Sequence, residues 1–358
     1  MIRASSGIFY DSPQTDQYRR AISFNGNPAF FTMSATPALS YAPSFPNVFT
    51  APPAGVTGST DITTISPDFA NLYSMNANFS VSRELTPTTA LTASYLYTGG
   101  RRLPVYRNIN VVPSGKFLAD GRPIFGTARY YADFGNITSA ESVGSSTYNG
   151  LNLTLNKRLA RGYEVYGTYT WSHAIDDAPE QNNIDAGSNL LSDPTNRRRD
   201  RGNSLTDKRH VFNMTGVLTP EFKSDNKAAN YLLNHNRLSL AVVASSGDLF
   251  NMGSNKVLNG DPTEGSAFQR PAFVGRDTIR AGWVAEINAR YSRLFPITEK
   301  KSVEFLAETT NLGNRLNVIA INSTASVDAA GNITTPAPLT PTGARDQRLL
   351  QLGLRFNW

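Results

Sequence analysis

The chain has 358 residues, a mass of 39.0 kDa, 40% hydrophobic residues and a mean hydropathy of −0.32. It contains no cysteine, which excludes disulfides and cysteine metal sites. Its net charge of +6 comes from 34 Lys and Arg against 28 Asp and Glu, but the basic residues are scattered and form no aromatic–basic nucleic-acid motif. No run of apolar residues is long enough for a transmembrane helix, whereas membrane strands, which give lipid only alternate residues, fit this composition.

Alternation of apolar and polar residues is the dominant pattern along the chain, and the 3.6-residue period of helices is nearly absent. A short strand, GIFY, is predicted at 7–10 and is followed by SMNANFSVSREL and, after a TPTT turn, by LTASYLYTGG. The same period predicts strands in YNGLNLTLNKRL, GYEVYGTYTWSHA and HVFNMTGVLTP. Later apolar series are Leu238, Leu240, Val242 and Ala244; Trp283, Ala285, Ile287, Ala289 and Tyr291; and Val303, Phe305 and Ala307.

The connectors between these strands alternate in length. Short connectors are predicted at 86–88, at LARG and at PITEKK, and one of medium length at 220–235. Long connectors are predicted at about 11–70, 99–147, 175–206, 247–277 and 313–345. Strands of about ten residues, joined by tight periplasmic turns and long outside loops, are typical of outer-membrane barrels. We therefore predict an all-β, antiparallel transmembrane β-barrel with about ten strands in this chain and a periplasmic C-terminus.

Every second position at the end of the terminal stretch RDQRLLQLGLRFNW is apolar: Leu350, Leu352, Leu354, Phe356 and Trp358. This series predicts a last strand that faces lipid, and it resembles the aromatic-ended signal by which outer-membrane proteins are recognised for barrel insertion. Tyr and Trp near the ends of other strands are expected in the headgroup layer. Two charges on the lipid-facing side, Arg83 and Lys157, are each predicted beside a short turn, where they reach the headgroups.

Candidate catalytic and metal residues are few. His173 with Asp176 and Asp177 would suit a metal or acid–base site, and His210 follows Asp207 at a strand start. Polar clusters are also ordinary where a strand enters an outside loop, and we favour that interpretation for both. The sequence has no GxSxG, HExxH or phosphate-loop motif. We expect no enzyme activity, no catalytic residue, no metal site and no cofactor.

An arginine run is the strongest candidate binding feature. Arg197, Arg198, Arg199 and Arg201 would suit an anionic ligand or lipopolysaccharide phosphates, because guanidinium groups bind phosphate in a bidentate fashion. The alternative, which we favour, is a solvated loop that nearby acidic residues partly neutralise. Those residues are Asp193, Asp200 and Asp207.

Three stretches of the sequence resemble TonB-dependent outer-membrane receptors. They are NLYSMNANFSVSREL with TPTTALTASYLYTGGRRLP, YNGLNLTLNKRLARGYEVYGTYTWSHAIDD, and DPTNRRRDRGNSLTDKRHVFNMTGV. The terminus DQRLLQLGLRFNW also resembles them, and the nearest subgroup is the Oar-like one. The resemblance implies a 22-strand barrel, a signal peptide, a plug that contacts TonB, and TonB-energised uptake of a ligand. It also implies outer-membrane lipid, lipopolysaccharide and the barrel-assembly machinery as partners, without nucleic acid.

Residues 1–358 show neither a signal nor a plug in this comparison, so we expect them to be the C-terminal portion of such a barrel. The alternatives left open are a surface adhesion or structural outer-membrane protein, and a non-functional barrel fragment. A secreted soluble β-sandwich is a further alternative, since its strands also alternate, although they are shorter.

Overall fold

A computed structural model describes residues 1–12, 15–27, 39–49, 61–177, 191–223, 225–260, 269–298 and 301–358. Its main feature is one sheet of ten long antiparallel strands, in which each strand pairs with its chain neighbours. The strands are β1 (Ile2–Tyr10), β2 (Tyr73–Thr86), β3 (Thr89–Asn108), β4 (Ile137–Ala160), β5 (Tyr163–Asp176), β6 (His210–Leu218), β7 (Asn236–Ser245), β8 (Val284–Pro296), β9 (Ser302–Thr310) and β10 (Leu349–Asn357). The sheet is not closed, because in the described part of the chain β1 pairs only with β2 and β10 only with β9.

The strand register places most apolar residues of the ten strands on one face. Phe79 lies opposite Tyr95, and Tyr95 lies opposite Leu151. At the other end of the sheet, Phe305 lies opposite Leu354. We call this face the apolar belt; its side chains are half-exposed or exposed, as in Phe79 (50%) and Leu354 (66%). The opposite face, the polar face, pairs residues such as Ser80 with Ser94 and Asn152 with Thr170. The predicted all-β antiparallel architecture with about ten strands is confirmed.

Several predicted strand ends differ from the observed ones. The connector expected at 99–147 begins and ends inside strands, because β3 continues to Asn108 and β4 already begins at Ile137. The pairing of β3 with β4 continues through Gly99 and Gly100, which lie opposite Thr147 and Ser146. The first strand, predicted at 7–10, begins at Ile2 because its whole length pairs with β2.

Tight turns close one end of the sheet, which we call the short-turn end. Residues 87–88 join β2 to β3, and Arg161 and Gly162, both with positive φ (55° and 80°), join β4 to β5. The third connection at this end, residues 219–235 between β6 and β7, carries helix α2 (Lys227–Leu233). Helix α1 (Thr15–Ser23) follows β1, and a 3₁₀ turn spans Arg197–Asp200. Among the described residues, no helix is long and apolar enough to cross a membrane.

The long connectors meet at the other end of the sheet and pack together. We call their described residues within 109–136, 191–209, 246–283 and 311–348 the cap. The cap and the strand ends beneath it hold short strands: Ile62–Ile65, Pro113–Phe117, Pro123–Phe125, Gly202–Asn203, Leu249–Phe250, Gly253–Ser254, Ile279–Arg280, Val318–Ile321, Thr324–Val327, Ile333–Thr335 and Pro341–Ala344. Leu118, Leu258 and Val327 form a buried apolar cluster that joins three connectors. The predicted long outside loops are therefore a packed layer in their described parts.

Candidate functional site

The polar face of the sheet carries hydrogen bonds and ion pairs between neighbouring strands. The Ser82 and Thr92 hydroxyls are 2.8 Å apart, and the Asn152 amide donates to the Thr170 hydroxyl at 2.9 Å. Two ion pairs between neighbouring strands follow towards the C-terminus, Arg290–Glu308 at 3.0 Å and Arg355–Glu304 at 3.4 Å. A third pair joins Arg345 of the cap to Glu286 of β8 at 3.8 Å. A surface of hydroxyl, amide and charged groups is the kind that lines a water-filled barrel interior.

A recess of about 420 Å³ lies on this face between β6 and β10. Small residues form much of its lining, among them Ser239 and Ala241, and the Arg290–Glu308 pair lies at its edge. Both partners of that pair are more than 40% exposed, so the charged groups are accessible from the recess. The lining of the recess is mostly apolar, and the Arg290–Glu308 pair places one cation and one anion at its edge.

Above the sheet, buried ion pairs join the connectors of the cap. The Arg270 guanidinium lies 2.8 Å from the Asp200 carboxylate, and their side chains are 5% and 2% exposed. Asp200 also accepts hydrogen bonds from the Ser192 backbone N–H at 3.0 Å and the Ser192 hydroxyl at 2.8 Å. Because Arg270 and Asp200 are 70 residues apart, this pair fixes the connector after β5 against the connector after β7.

A second group of contacts adds the connector between β3 and β4. Asp120 binds Arg122 at 2.9 Å, and Arg122 donates to the Arg270 carbonyl at 2.7 Å. Arg199 donates to the Asp120 carbonyl at 3.0 Å. Arg276 contacts the Asp176 carboxylate at the end of β5. The cap is therefore a single hydrogen-bonded assembly and the polar interior opens beneath it.

Asp207 is a buried carboxylate at the base of the cap. It accepts hydrogen bonds from the Ala174 backbone N–H at 2.8 Å and from Arg280 at 2.6 Å. Burial raises the pKa of Asp207, but the hydrogen bonds from Ala174, Arg280 and His173 and the nearby charge of Arg209 outweigh it. The pKa of this carboxyl is therefore lowered from its ordinary value of 3.8.

The two candidate histidine clusters are bound by neighbouring side chains, as for ordinary polar clusters at strand ends. His173 lies 3.3 Å from Asp207 and 2.7 Å from Arg209, whereas Asp176 and Asp177 bind Arg276 and Arg197 instead. His210 stacks between Tyr169 and Trp283 at ring distances of 6.1 and 5.7 Å, and its Nδ1 lies 2.8 Å from the Tyr169 hydroxyl. Within the described ranges, no group of three or more His, Asp or Glu residues is arranged to hold a metal.

The arginine run is divided between bound and exposed side chains. Arg197 contacts Asp177, and Arg199 forms an ion pair with Asp193 at 3.1 Å. Arg198 and Arg201 are exposed. The expectation that Asp200 and Asp207 neutralise the run was wrong, because Arg270 and Arg280 bind these two carboxylates. These two arginines lie far along the chain from the acids, and no sequence spacing indicated the pairing.

The terminal series lies on the apolar belt. Leu350, Leu352, Leu354 and Phe356 are 62–66% exposed, and Trp358, just beyond β10, is 91% exposed. Arg83 and Lys157, the two charges predicted beside short turns, also lie on the apolar belt. Arg83 pairs in register with Leu91 three residues from the β2–β3 turn, and the Lys157 ammonium lies 4.4 Å above the Tyr163 ring.

Comparisons with known proteins agree with the barrel fold. A family model described as "Outer membrane beta barrel domain" matches residues 1–351. No curated protein matches the sequence. The outer membrane transporter YddB from Escherichia coli is structurally similar, with a TM-score of 0.52 and 9% identity over 100% of this chain. A mutant of the ferric enterobactin receptor PfeA from Pseudomonas aeruginosa gives a TM-score of 0.48 and 13% identity over 99% of this chain. The chain spans 38% of the length of each of these two proteins.

Proposed function

Because the chain belongs to the outer membrane β-barrel family, we propose that it forms part of the wall of a receptor that imports a ligand with energy from TonB. One observation carries the proposal: a ten-strand sheet has an apolar belt on one face and a polar face on the other, and the polar face lies beneath a cap of interlocked connectors. In this arrangement the apolar belt contacts lipid, the polar face lines the path and the cap selects the ligand.

The family implies the bacterial outer membrane as the location, and we propose the orientation within it. The short-turn end, where β10 finishes, would face the periplasm, and the cap would face the outside. The two open edges, β1 and β10, would be paired in an intact wall of 22 strands, since lipid cannot satisfy unpaired backbone groups. The Oar-like subgroup is our proposed assignment, from the sequence stretches that resemble it.

A direct test measures energy-dependent uptake. Cells with and without the protein, each with and without TonB, are given a complex nutrient extract, and the medium is followed by mass spectrometry. We expect at least one compound to be depleted only when the protein and TonB are both present. If every compound is depleted equally in all four strains, the protein is not a TonB-energised importer. Loss of cell or surface attachment without any change in depletion would favour the adhesion alternative.

We also propose that the terminal series is the signal that the barrel-assembly machinery recognises. Deleting Phe356–Trp358 should abolish heat-modifiable, membrane-inserted protein, because the exposed apolar end of β10 would be lost. A matched control removes two equally exposed aromatic side chains from the cap, Phe117→Ser with Tyr130→Ser. Normal insertion of the truncated chain would contradict the proposal.

We propose that the two exposed members of the arginine run, Arg198 and Arg201, form a binding site for an anionic ligand or lipopolysaccharide. Arg198→Ser with Arg201→Ser should weaken binding of purified protein to lipopolysaccharide, because these guanidinium groups are accessible to a phosphate. Arg197 and Arg199 are already held by Asp177 and Asp193, so they are not part of the test variant. Unchanged affinity of the double variant would remove the idea.

A further inference from the structure

One connection at the short-turn end differs from its neighbours. Two-residue turns join β2 to β3 and β4 to β5, whereas residues 219–235 between β6 and β7 contain helix α2. The exposed side of α2 is apolar: Ala228, Tyr231 and Leu232 occupy positions i, i+3 and i+4 and share one helix face. Tyr231 and Leu232 are 51% and 60% exposed. A surface helix in water normally presents polar residues on this side.

The helix is held on the side of the apolar belt. Arg293 follows Tyr291 at the next belt position of β8, and Asn236 precedes Leu238 at the next belt position of β7. Arg293 donates to the Tyr231 carbonyl at 2.7 Å and to the Leu232 carbonyl at 2.8 Å. The Asn236 amide donates to the Leu233 carbonyl at 2.9 Å. Two belt-side residues therefore bind the last carbonyls of α2, where a helix favours cations and donors.

Further contacts fix the connection as a defined element. The Asn226 side chain accepts from the Ala228 N–H at 2.9 Å and caps the start of α2. The Asn234 side chain accepts from the Phe222 N–H at 2.6 Å and donates to the Phe222 carbonyl at 2.9 Å. The Arg293 guanidinium lies 5.6 Å from the centre of the Tyr231 ring. The exposed apolar residues are thus presented in a fixed position and do not belong to an unstructured turn.

We propose that α2 is an interfacial anchor, whose exposed face of Ala228, Tyr231 and Leu232 lies in the lipid leaflet at the short-turn end of the barrel. Continuity with the apolar belt carries this inference, because the same side of the sheet supplies Leu238 and Tyr291 directly above the helix. An amphipathic helix at this level buries its apolar face roughly 5–10 Å into the boundary between headgroups and acyl chains. Tyr231, with an apolar ring and a polar hydroxyl, suits that layer.

The shape of the patch favours lipid over a protein partner. Its exposed apolar residues are few and lie on one short helix, which is far less surface than a stable protein interface requires. In the proposed wall, a lipid leaflet contacts the neighbouring belt residues as well, so the small apolar area of the helix adds to that of the belt. This inference rests on the proposed barrel wall, but its test is independent of transport.

The test measures the depth of one side chain. The sequence has no cysteine, so Leu232→Cys creates a unique site for a nitroxide label. The full chain is inserted into vesicles of phosphatidylethanolamine and phosphatidylglycerol, and collisions of the label with oxygen and with a water-soluble nickel chelate are measured. Two other exposed leucines serve as matched references: Leu354→Cys on the belt (66% exposed) and Leu339→Cys in the cap (46% exposed). None of the three side chains makes a polar contact that the label would remove.

We expect the label at 232 to collide with the nickel chelate several-fold less often than the label at 339, and with oxygen as often as the label at 354. Chelate collisions equal to those at 339 would overturn the inference, because the helix would then lie in water. Shielding from both reagents would also overturn it, since the helix would then pack against protein or a second copy. If the label at 354 is itself accessible to the chelate, the barrel wall and the anchor are both contradicted.

Discussion

The sheet of β1 to β10, which we call the wall, and the cap are stabilised in opposite ways. In the wall, most apolar side chains lie on the apolar belt and are half-exposed or exposed, and most polar side chains lie together on the polar face. In the cap and the strand ends beneath it, apolar residues such as Leu118, Val284 and Val327 are buried. None of the buried apolar residues in the described ranges lies in the middle of the sheet. The difference shows that two solvents act on one chain: the wall is built for lipid and the cap for water.

The same contrast applies to charge. In the cap, Arg270 and Asp200 are buried together, so the loss of one leaves the other uncompensated. On the polar face, Arg290 and Glu308 are both more than 40% exposed and remain hydrated. Charge therefore holds the cap together, whereas the wall is held by its backbone ladder and register.

The largest effect is expected in the cap. Asp200→Ala should destabilise the cap by about 3–5 kcal/mol, because Arg270 would remain buried without its carboxylate. Hydrogen exchange followed by mass spectrometry should show faster exchange in 191–209 and 269–283 with no change in β2 to β4. The matched control replaces both partners, Asp200→Leu with Arg270→Met, and should recover much of the loss. Equal protection of the cap in Asp200→Ala and the unaltered protein would refute its dependence on this pair.

The second effect is expected in the wall and depends on the face. Ala93→Arg puts a charge on the apolar belt opposite Val81 and Leu153, and should destabilise the inserted protein by about 2–4 kcal/mol. Ser94→Arg, one residue on, puts the same charge on the polar face opposite Ser80 and Asn152 and should have little effect. Urea unfolding in vesicles, followed by tryptophan fluorescence, measures both. A similar loss in the two variants would contradict the assignment of the faces.

The third effect is acid sensitivity of the cap through Asp207. Since the folded pKa of this carboxyl is lowered from 3.8, its stabilisation is fully present above that value and is lost as the pH falls through the folded pKa. Protease resistance of the cap should therefore be constant from neutral pH down to about pH 4 and should fall only below it. Asp207→Asn should remove the step from the profile. A fall in resistance near pH 6 would assign the transition to histidine instead.

The sequence predicted the structure of the wall much better than that of the cap. The period-two pattern predicted the strands of the wall, their faces and the positions of Arg83 and Lys157, because each is a local property of the chain. It missed the ends of β3 and β4, since their pairing continues past Gly100. The pattern also missed the packing of the cap. Arg270 and Asp200 pair across 70 residues of sequence, and a local pattern gives no information about such distant contacts. The helix in 219–235 was missed because seven residues give too little periodicity.

The smallest effect is expected at the exposed pair of the polar face. Glu308→Gln and Arg290→Gln, measured singly and together by urea unfolding in vesicles, should give a coupling energy of about 0.2–1 kcal/mol. Salt should reduce that coupling, because both groups are hydrated, whereas the Arg270–Asp200 coupling should change little with salt. A coupling at Arg290–Glu308 as large as that of the buried pair would mean that the recess is closed to water. Charge would then hold the wall as well as the cap, and the division between the two regions would fail.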